Sequence, residues 1–297
     1  MELSSLHLLL TYICTWECDH CFVWGSPEQS GTMTLNRIDR ILDQAEEMGT
    51  VRSIYFEGGE PFLFYVVLLR GIQMANERGF KTGIVSNSYW ATDERDALEW
   101  LRPFEGLVYD LSVSSDLFHA DVMMSDEVKH AQAAAKQLGI STGVLSIAQP
   151  EEDAASARGQ LPTGESQVMC RGRAVRTLAE RFPHHPWETF DECRFENLVD
   201  PGRIHIDPLG HVHICQGISI GNLFQTSLAE ICKTYDPEAH PIVGPILEGG
   251  PAELVRRYDL PLREQYVDAC HLCYLSREML RPQFPEILAP DQMYGVF

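Results

Sequence analysis

Over the first 150 residues, short apolar runs alternate with amphipathic stretches. "LHLLLTYI" (6–13) reads as a strand, being short and almost wholly apolar. "NRIDRILDQAEEMG" (36–49) spaces its apolar residues as a helix does and closes on Gly49. "VRSIYFEGG" (51–59) is a second strand, followed by a helix over "FYVVLLRGIQMANERG" (64–79). "FKTGIVSN" (80–87) is a third strand, and "ATDERDALEWLRP" (91–103) a helix with Thr92 or Asp93 as its N-cap. "GLVYDLSVSS" (106–115) and "DEVKHAQAAAKQLG" (126–139) make a fourth pair, and "STGVLSIAQ" (141–149) a fifth strand.

A β/α series with short connections predicts a parallel sheet with right-handed crossovers. With five or six units the expected fold is α/β, a partial (β/α)6 barrel with its chemistry at the C-terminal ends of the strands. The rhythm changes after residue 150. "QPEEDAASARGQLPTGES" (149–166) has loop composition and "FPHHPWETFDEC" (182–193) reads as a connector. "RIHIDPLGHVHIC" (203–215) alternates around Pro208 and Gly210 as a β-hairpin does. "SLAEICKTY" (227–235) is a short helix, and the tail from "LRPQF" onward is broken by prolines. The expected division is a barrel over 1–180 and a small hairpin–helix domain over 181–297. So small a unit needs a metal, or docking onto the barrel, to be stable.

Charge narrows the partners. The 297-residue chain carries 43 acidic against 23 basic residues, a net charge of −20, which disfavours nucleic acid. A local basic patch, "CRGRAVR" (170–176), is still able to hold one phosphate or carboxylate. The apolar runs near the N-terminus are too short to span a bilayer, and no basic segment precedes them. A cytoplasmic protein with no membrane partner is expected. In a reducing compartment, nine cysteines point to metal ligation rather than to disulfides.

The first thiol set is "CTWECDHC", with Cys14, Cys18 and Cys21 in a C-x3-C-x2-C loop. One loop with this spacing is able to hold three corners of a [4Fe–4S] cube, leaving the fourth iron open. A zinc site with His20 as fourth ligand is the alternative. On these residues, with "GGEP" (58–61) after the second strand, the sequence resembles the radical S-adenosylmethionine (SAM) superfamily. His20 stands where that family usually has an aromatic ring. The resemblance implies that Cys14, Cys18 and Cys21 hold a [4Fe–4S] cluster whose open iron is chelated by SAM. It also implies that Gly58, Gly59, Glu60 and Pro61 line the SAM amino group. "SNS" (86–88) and "SVSSD" (112–116) fall where the family contacts the ribose and carboxylate of SAM. Ser86, Asn87, Ser114 and Asp116 are therefore candidates for SAM binding, with helix N-capping as their other reading. The adenine pocket is left unassigned.

The second set, Cys193, Cys215, Cys270 and Cys273, flanks the hairpin and ends in a C-x2-C knuckle. Its spacing suits either zinc or a fully ligated iron–sulfur cluster. "IHIDPLGHVHICQGISIGNL", with "GRA" (172–174) upstream, resembles the C-terminal segment of radical SAM proteins with SPASM or twitch domains. With four well-placed cysteines the resemblance is to the shorter twitch form, implying one auxiliary [4Fe–4S] cluster. Cys170 and Cys232 read as buried hydrophobes.

Other candidates are less specific. His205, His211 and His213 alternate along the hairpin, which predicts a solvated face. His119 and Arg173 are candidate catalytic residues, His119 as a base at the barrel mouth. Arg171, like Arg173, is able to hold an anion. The function implied is reductive cleavage of SAM and hydrogen abstraction from a small molecule or peptide, the expected outcome being oxidation by dehydrogenation or cross-linking. A flavodoxin or ferredoxin is the expected reductant. The competing readings are a non-catalytic iron–sulfur electron-transfer protein and a zinc-scaffold protein on the same barrel.

Overall fold

The computed structural model describes residues 1–150, 164–261 and 263–296. Its first half follows the alternation in the sequence: β1 (Ser5–Thr11), α1 (Leu35–Met48), β2 (Ser53–Gly58), α2 (Tyr65–Glu77), β3 (Lys81–Ser86), α3 (Glu94–Leu101), β4 (Val108–Ser114), α4 (Asp126–Gln137) and β5 (Ser141–Ile147). A short β6 (Gly164–Ser166) follows. The loop expected over 149–166 lies mostly outside the described residues. Helices α1, α3 and α4 begin where a side chain satisfies a free amide: Thr34 accepts from the Arg37 N–H, Asp93 from Asp96 and Ser125 from Val128.

Strands β1 to β6 pair in sequence order and in parallel. After α5 (Ala174–Thr177) and a two-residue β7 (His185–Pro186) come β8 (Arg203–Ile206), β9 (His211–Cys215) and β10 (Ile218–Asn222). Strand β8 lies parallel to β1, and β9 and β10 continue antiparallel from it, giving one nine-stranded sheet, β10-β9-β8-β1-β2-β3-β4-β5-β6. The chain ends with α6 (Leu228–Thr234), α7 (Val243–Tyr258), β11 (Gln265–Tyr266) and α8 (Ala269–Leu280). The segment beyond residue 180 thus joins the barrel sheet at the free edge of β1. Leu228, Ile231 and Cys232 of α6 pack into the same core as α1 and β1.

Three features depart from the sequence expectation. Helix α7 contains Gly249 and Gly250 in non-helical conformations ahead of Pro251, so its apolar positions keep no single period. The C-x2-C pair is not a knuckle but the first turn of α8. His205 and His213 are not solvated. His205 faces the barrel interior, and His213 is buried against the Asp207 carboxylate at 3.2 Å. Docking of the hairpin on β1 turns its histidine face inward.

The two faces of the sheet differ in kind. Leu6, Leu8, Leu10, Ile54, Phe56, Ile84, Leu111 and Val113 point outward into the main core under the helices. The alternate positions, His7, Tyr55, Glu57, Asp110, Ser112, Ser114 and His205, line a cavity on the other face. Burial of the outward side chains drives assembly, and the inward ones leave a polar interior. Among the described residues no helix is long and apolar enough to cross a membrane.

Gly83 on β3 makes room for one inward ring: a Cβ there would stand 2.3 Å from the Tyr55 ring. Gly83→Ala is therefore expected to lower unfolding stability by about 1–3 kcal/mol through overpacking. Chemical denaturation measures this, and Tyr55→Ala in the same chain should recover much of the loss.

Candidate active site: two cysteine sets in neighbouring cavities

Cys14, Cys18 and Cys21 come together at the C-terminal end of β1, and all three line a cavity of about 360 Å³ inside the barrel. The loop is held from several sides. Cys14 N–H donates to the Ser26 carbonyl at 3.0 Å. Gly25 N–H points at Cys21 Sγ (3.1 Å) and the Asn87 amide at Cys14 Sγ (3.6 Å). Arg173, buried, spends its guanidinium on the Cys18 and Gly25 carbonyls (2.8 and 2.7 Å) and lies over the Trp24 ring. Its own N–H donates to the Cys21 carbonyl at 2.9 Å. Arg173 is thus a positioning residue for the loop, and it is not among the residues that line the cavity.

The thiols fit an iron–sulfur cluster better than a closed zinc site. Zinc would draw its sulfurs to about 3.8 Å apart, given a Zn–S bond of about 2.3 Å. Among the described residues, two groups of three bring their ligand atoms within 4.8 Å of one another, and neither contains a cysteine. Amide donors aimed at sulfur suit thiolates that carry a cluster. Burial pushes the Cys14 thiol up to about 12 and Cys18 well above its usual value. Such thiols ionise when a bound cation compensates the charge.

The GGEP segment divides its work. Gly58 and Gly59 line the cavity; Glu60 and Pro61 stand behind it. The buried Glu60 carboxylate accepts from the Phe62 and Asn87 N–H groups (3.0 and 2.8 Å) and from the Ser86 hydroxyl (3.0 Å). Burial pushes its pKa up to about 7, against those three hydrogen bonds. Glu60 thereby fixes Ser86 and Asn87, which both line the cavity, as does Ser114.

Asp116 orients two histidines. His119 Nδ1 lies 2.7 Å from one carboxylate oxygen, and His20 Nε2 lies 3.4 Å from the other. The backbone N–H groups of Phe118 and Ile147 donate to it as well. Burial opposes ionisation of Asp116, but the hydrogen bond with His119 and the proximity of His20 outweigh it and hold the carboxyl well below its usual range. His20 also packs edge-on to Phe118.

Cys193, Cys215, Cys270 and Cys273 converge on a second, small cavity, together with Arg171, Glu196 and Arg277. Cys270 and Cys273 share a face of α8, whose N-cap Asp268 accepts from the His271 N–H. Arg171 pairs with Glu196 at 2.9 Å and approaches Cys215 Sγ at 3.6 Å. Burial pushes Cys215 up to about 12, opposed by Arg171 and Arg277. These sulfurs too lie outside every group within 4.8 Å among the described residues. Cys170 is fully buried and Cys232 lies in the main core, and neither lines this cavity. Arg171 lines both cavities, so the two sets share a wall.

His7, Tyr55, Glu57 and Asp110 also line the large cavity, and the motifs did not point to them; His205, expected on a solvated face, lines it too. The available signal was a polar residue inside each otherwise apolar strand, as in "LHLLLT" and "SIYFEGG".

A parallel barrel with a three-cysteine loop at its mouth is the architecture of a SAM-radical domain. Residues 8–155 match the family model of the Radical SAM superfamily, and the chain carries a domain of that superfamily. The family implies a [4Fe–4S] cluster and SAM. YydG of Bacillus subtilis (strain 168), named for peptide biosynthesis, is 27% identical over 118 residues, covering 39% of this chain and 37% of that protein. The tungsten-containing aldehyde ferredoxin oxidoreductase cofactor-modifying protein of Pyrococcus furiosus is 33% identical over 93 residues, covering 31% of this chain and 26% of that protein. The matched segments are thus well under half of either relative. Among solved structures, BtrN in complex with AdoMet and 2-DOIA has the same fold, with a TM-score of 0.52 at 14% identity over 80% of this chain and 84% of BtrN.

Arg173→Ala removes both side-chain clamps on the cysteine loop. It is expected to lower the iron retained by the Cys14 set after anaerobic reconstitution, read as iron and sulfide per chain. Arg173→Lys should recover little, because one ammonium does not reproduce the two-armed guanidinium contact.

Proposed function

We propose that the chain is a radical SAM enzyme that oxidises a small molecule or short peptide, with two [4Fe–4S] clusters. Cys14, Cys18 and Cys21 would hold the cluster that binds SAM, and Cys193, Cys215, Cys270 and Cys273 a twitch-like auxiliary cluster. The observation that carries this reading is the shared wall: Cys14, Cys18 and Cys21 line one polar cavity, the second set lines a small neighbouring one, and Arg171 lines both. When bound, the first cluster supplies the electron that cleaves SAM, and the second an acceptor for the electron that an oxidised substrate gives up.

The chain's own residues account for the rest. Gly58 and Gly59 let a ligand approach the backbone closely. Asn87 and Ser114 present polar groups to SAM from the cavity wall. Oxidation of a C–H bond also releases a proton. His119 lines the cavity with its Nδ1 held by Asp116, which leaves Nε2 to accept that proton. The enclosing barrel limits water at the reacting carbon.

A cavity of about 360 Å³ suits a small molecule or one side chain of a peptide. The BtrN complex, with its small ligand, supports the first class and the naming of YydG the second. A flavodoxin or ferredoxin in a reducing cytoplasm would serve as reductant.

Anaerobic reconstitution followed by dithionite and SAM tests the reading without a known substrate. The wild-type chain should hold about eight irons and form 5′-deoxyadenosine. Replacing Cys193, Cys215, Cys270 and Cys273 by Ala should leave about four irons and keep deoxyadenosine formation, whereas Cys18→Ala should abolish it. Zinc in place of iron, or no SAM cleavage under strong reduction, would overturn the proposal.

A further inference from the structure

The floor of the large cavity carries a second donor set that contains no cysteine. His7 on β1, Glu57 on β2 and His205 on β8 project from three neighbouring strands onto the same inward face. His7 and His205 are directly paired across β1 and β8, and Glu57 stands two residues above Tyr55, the partner of His7 on β2. His7 Nδ1 lies 3.2 Å from Glu57 Oε2, and His205 Nε2 lies 2.9 Å from Glu57 Oε1. The three ligand atoms all fall within 4.8 Å of one another.

Two further observations point to a ligand. Glu57 Oε1 is closed off from solvent and makes no hydrogen bond, although His205 Nε2 is only 2.9 Å away. Two polar atoms so close, yet outside hydrogen-bond geometry, leave the Glu57 oxygen available to a third group. Moreover, the ion pairs of Glu57 among the described residues are with these two histidines alone, so no Lys or Arg offsets its charge. A buried polar atom without a partner calls for a water or an ion.

We propose that His7 Nδ1, Glu57 and His205 Nε2 form a binding site for a divalent first-row cation, with its remaining coordination positions open to the cavity. Two imidazoles and one carboxylate on a single face suit Mn²⁺, Fe²⁺, Co²⁺ or Zn²⁺ and leave room for water or a substrate oxygen. The site lies deeper in the barrel than the cysteine loop, at the level of the middle of β1 rather than its end. A cation there would anchor an oxygen-bearing substrate by the end far from the cysteine loop. Tyr55, stacked on His7 at 4.8 Å, fixes that ring from its other side. The inference concerns these three side chains alone and stands whether or not the proposed SAM chemistry is correct.

Mn²⁺ is the probe of choice because it avoids thiolates and so discriminates against both cysteine sets. Titrated into the full reconstituted chain and followed by the loss of the free-ion EPR signal, it should bind at one per chain. Glu57→Gln and His205→Gln should each weaken binding by roughly tenfold or more. His119→Gln, in the other histidine–carboxylate group, should leave it unchanged. The wild-type chain supplies an independent measurement should a variant fail to fold: pulsed EPR of bound Mn²⁺ should show nitrogen coupling from two imidazoles. No stoichiometric binding, binding unaltered in Glu57→Gln and His205→Gln, binding lost in His119→Gln, or Mn²⁺ without imidazole coupling would each overturn the proposal.

Discussion

The cysteine loop stays in place because two stretches of backbone touch with no side chain between them. As β2 ends, Gly59 N–H donates to the Thr11 carbonyl at 2.7 Å and Glu60 N–H to the Ile13 carbonyl at 2.9 Å. A Cβ on Gly58 would stand 2.3 Å from the Thr11 oxygen, and one on Gly59 2.2 Å from the Ile13 oxygen. Gly58 also has a φ of 134°, which side-chain-bearing residues rarely adopt. Cys14 directly follows Ile13, so this contact sets where the first thiol sits. The next residue, Glu60, carries the constraint onward through Ser86 and Asn87, and Asn87 returns it to Cys14 Sγ. One glycine pair thus ties three strand ends to the cysteine loop.

The second cysteine set is held by charge more than by backbone fit. Arg277 is buried to 1% exposure. Its guanidinium donates to the Gln216 and Cys273 carbonyls and lies over the rings of Tyr274 and Tyr294. Among the described residues it has no carboxylate partner. Burying a cation without a counter-charge is costly. Cys215 and Cys273 would supply negative charge beside it once ionised by a bound metal, adding to the more distant pull of Glu278. Arg171 follows the same logic with Glu196 as a partial counter-ion. The two guanidiniums and the four thiols therefore suit each other best when the thiols carry an anionic metal group, which is the physical content of the auxiliary-cluster proposal.

Much of this was legible in the sequence because it rests on local patterns. Periodicity located β1 to β5 and α1 to α4 within a few residues, and the caps Gly49 and Asp93 stand where composition placed them. The cysteines of both sets were legible too, since thiols are few and their spacing is chemical. The rest depends on which strand meets which edge, and no local pattern encodes that. The inward turn of His205 and His213 follows from the pairing of β8 with β1 across nearly 200 residues of chain. Arg173 resembled an anion binder as part of the basic patch over 170–176, and only the fold shows its guanidinium committed to loop carbonyls. Helix α7 was hidden by its glycines and proline, which break the period while tertiary packing keeps the helix.

The polarity of the barrel interior is the remaining constraint. A sheet face carrying His7, Tyr55, Glu57, Asp110, Ser112 and His205 gains little from hydrophobic burial, and its groups must be paired. Some are: Ser112 donates to Asp110 at 2.9 Å, and Tyr55 bonds to Tyr109. Others, such as Glu57 Oε1 and His7 Nε2, are left without a hydrogen bond. The apolar helix-covered face bears the cost of folding around such an interior, and that burden is retained for what the interior binds. An electron-transfer scaffold needs only its cluster ligands and a path between them. A deep polar floor beneath the cysteine loop, with Arg171 joining it to the second thiol set, is instead the form of a site that encloses a substrate.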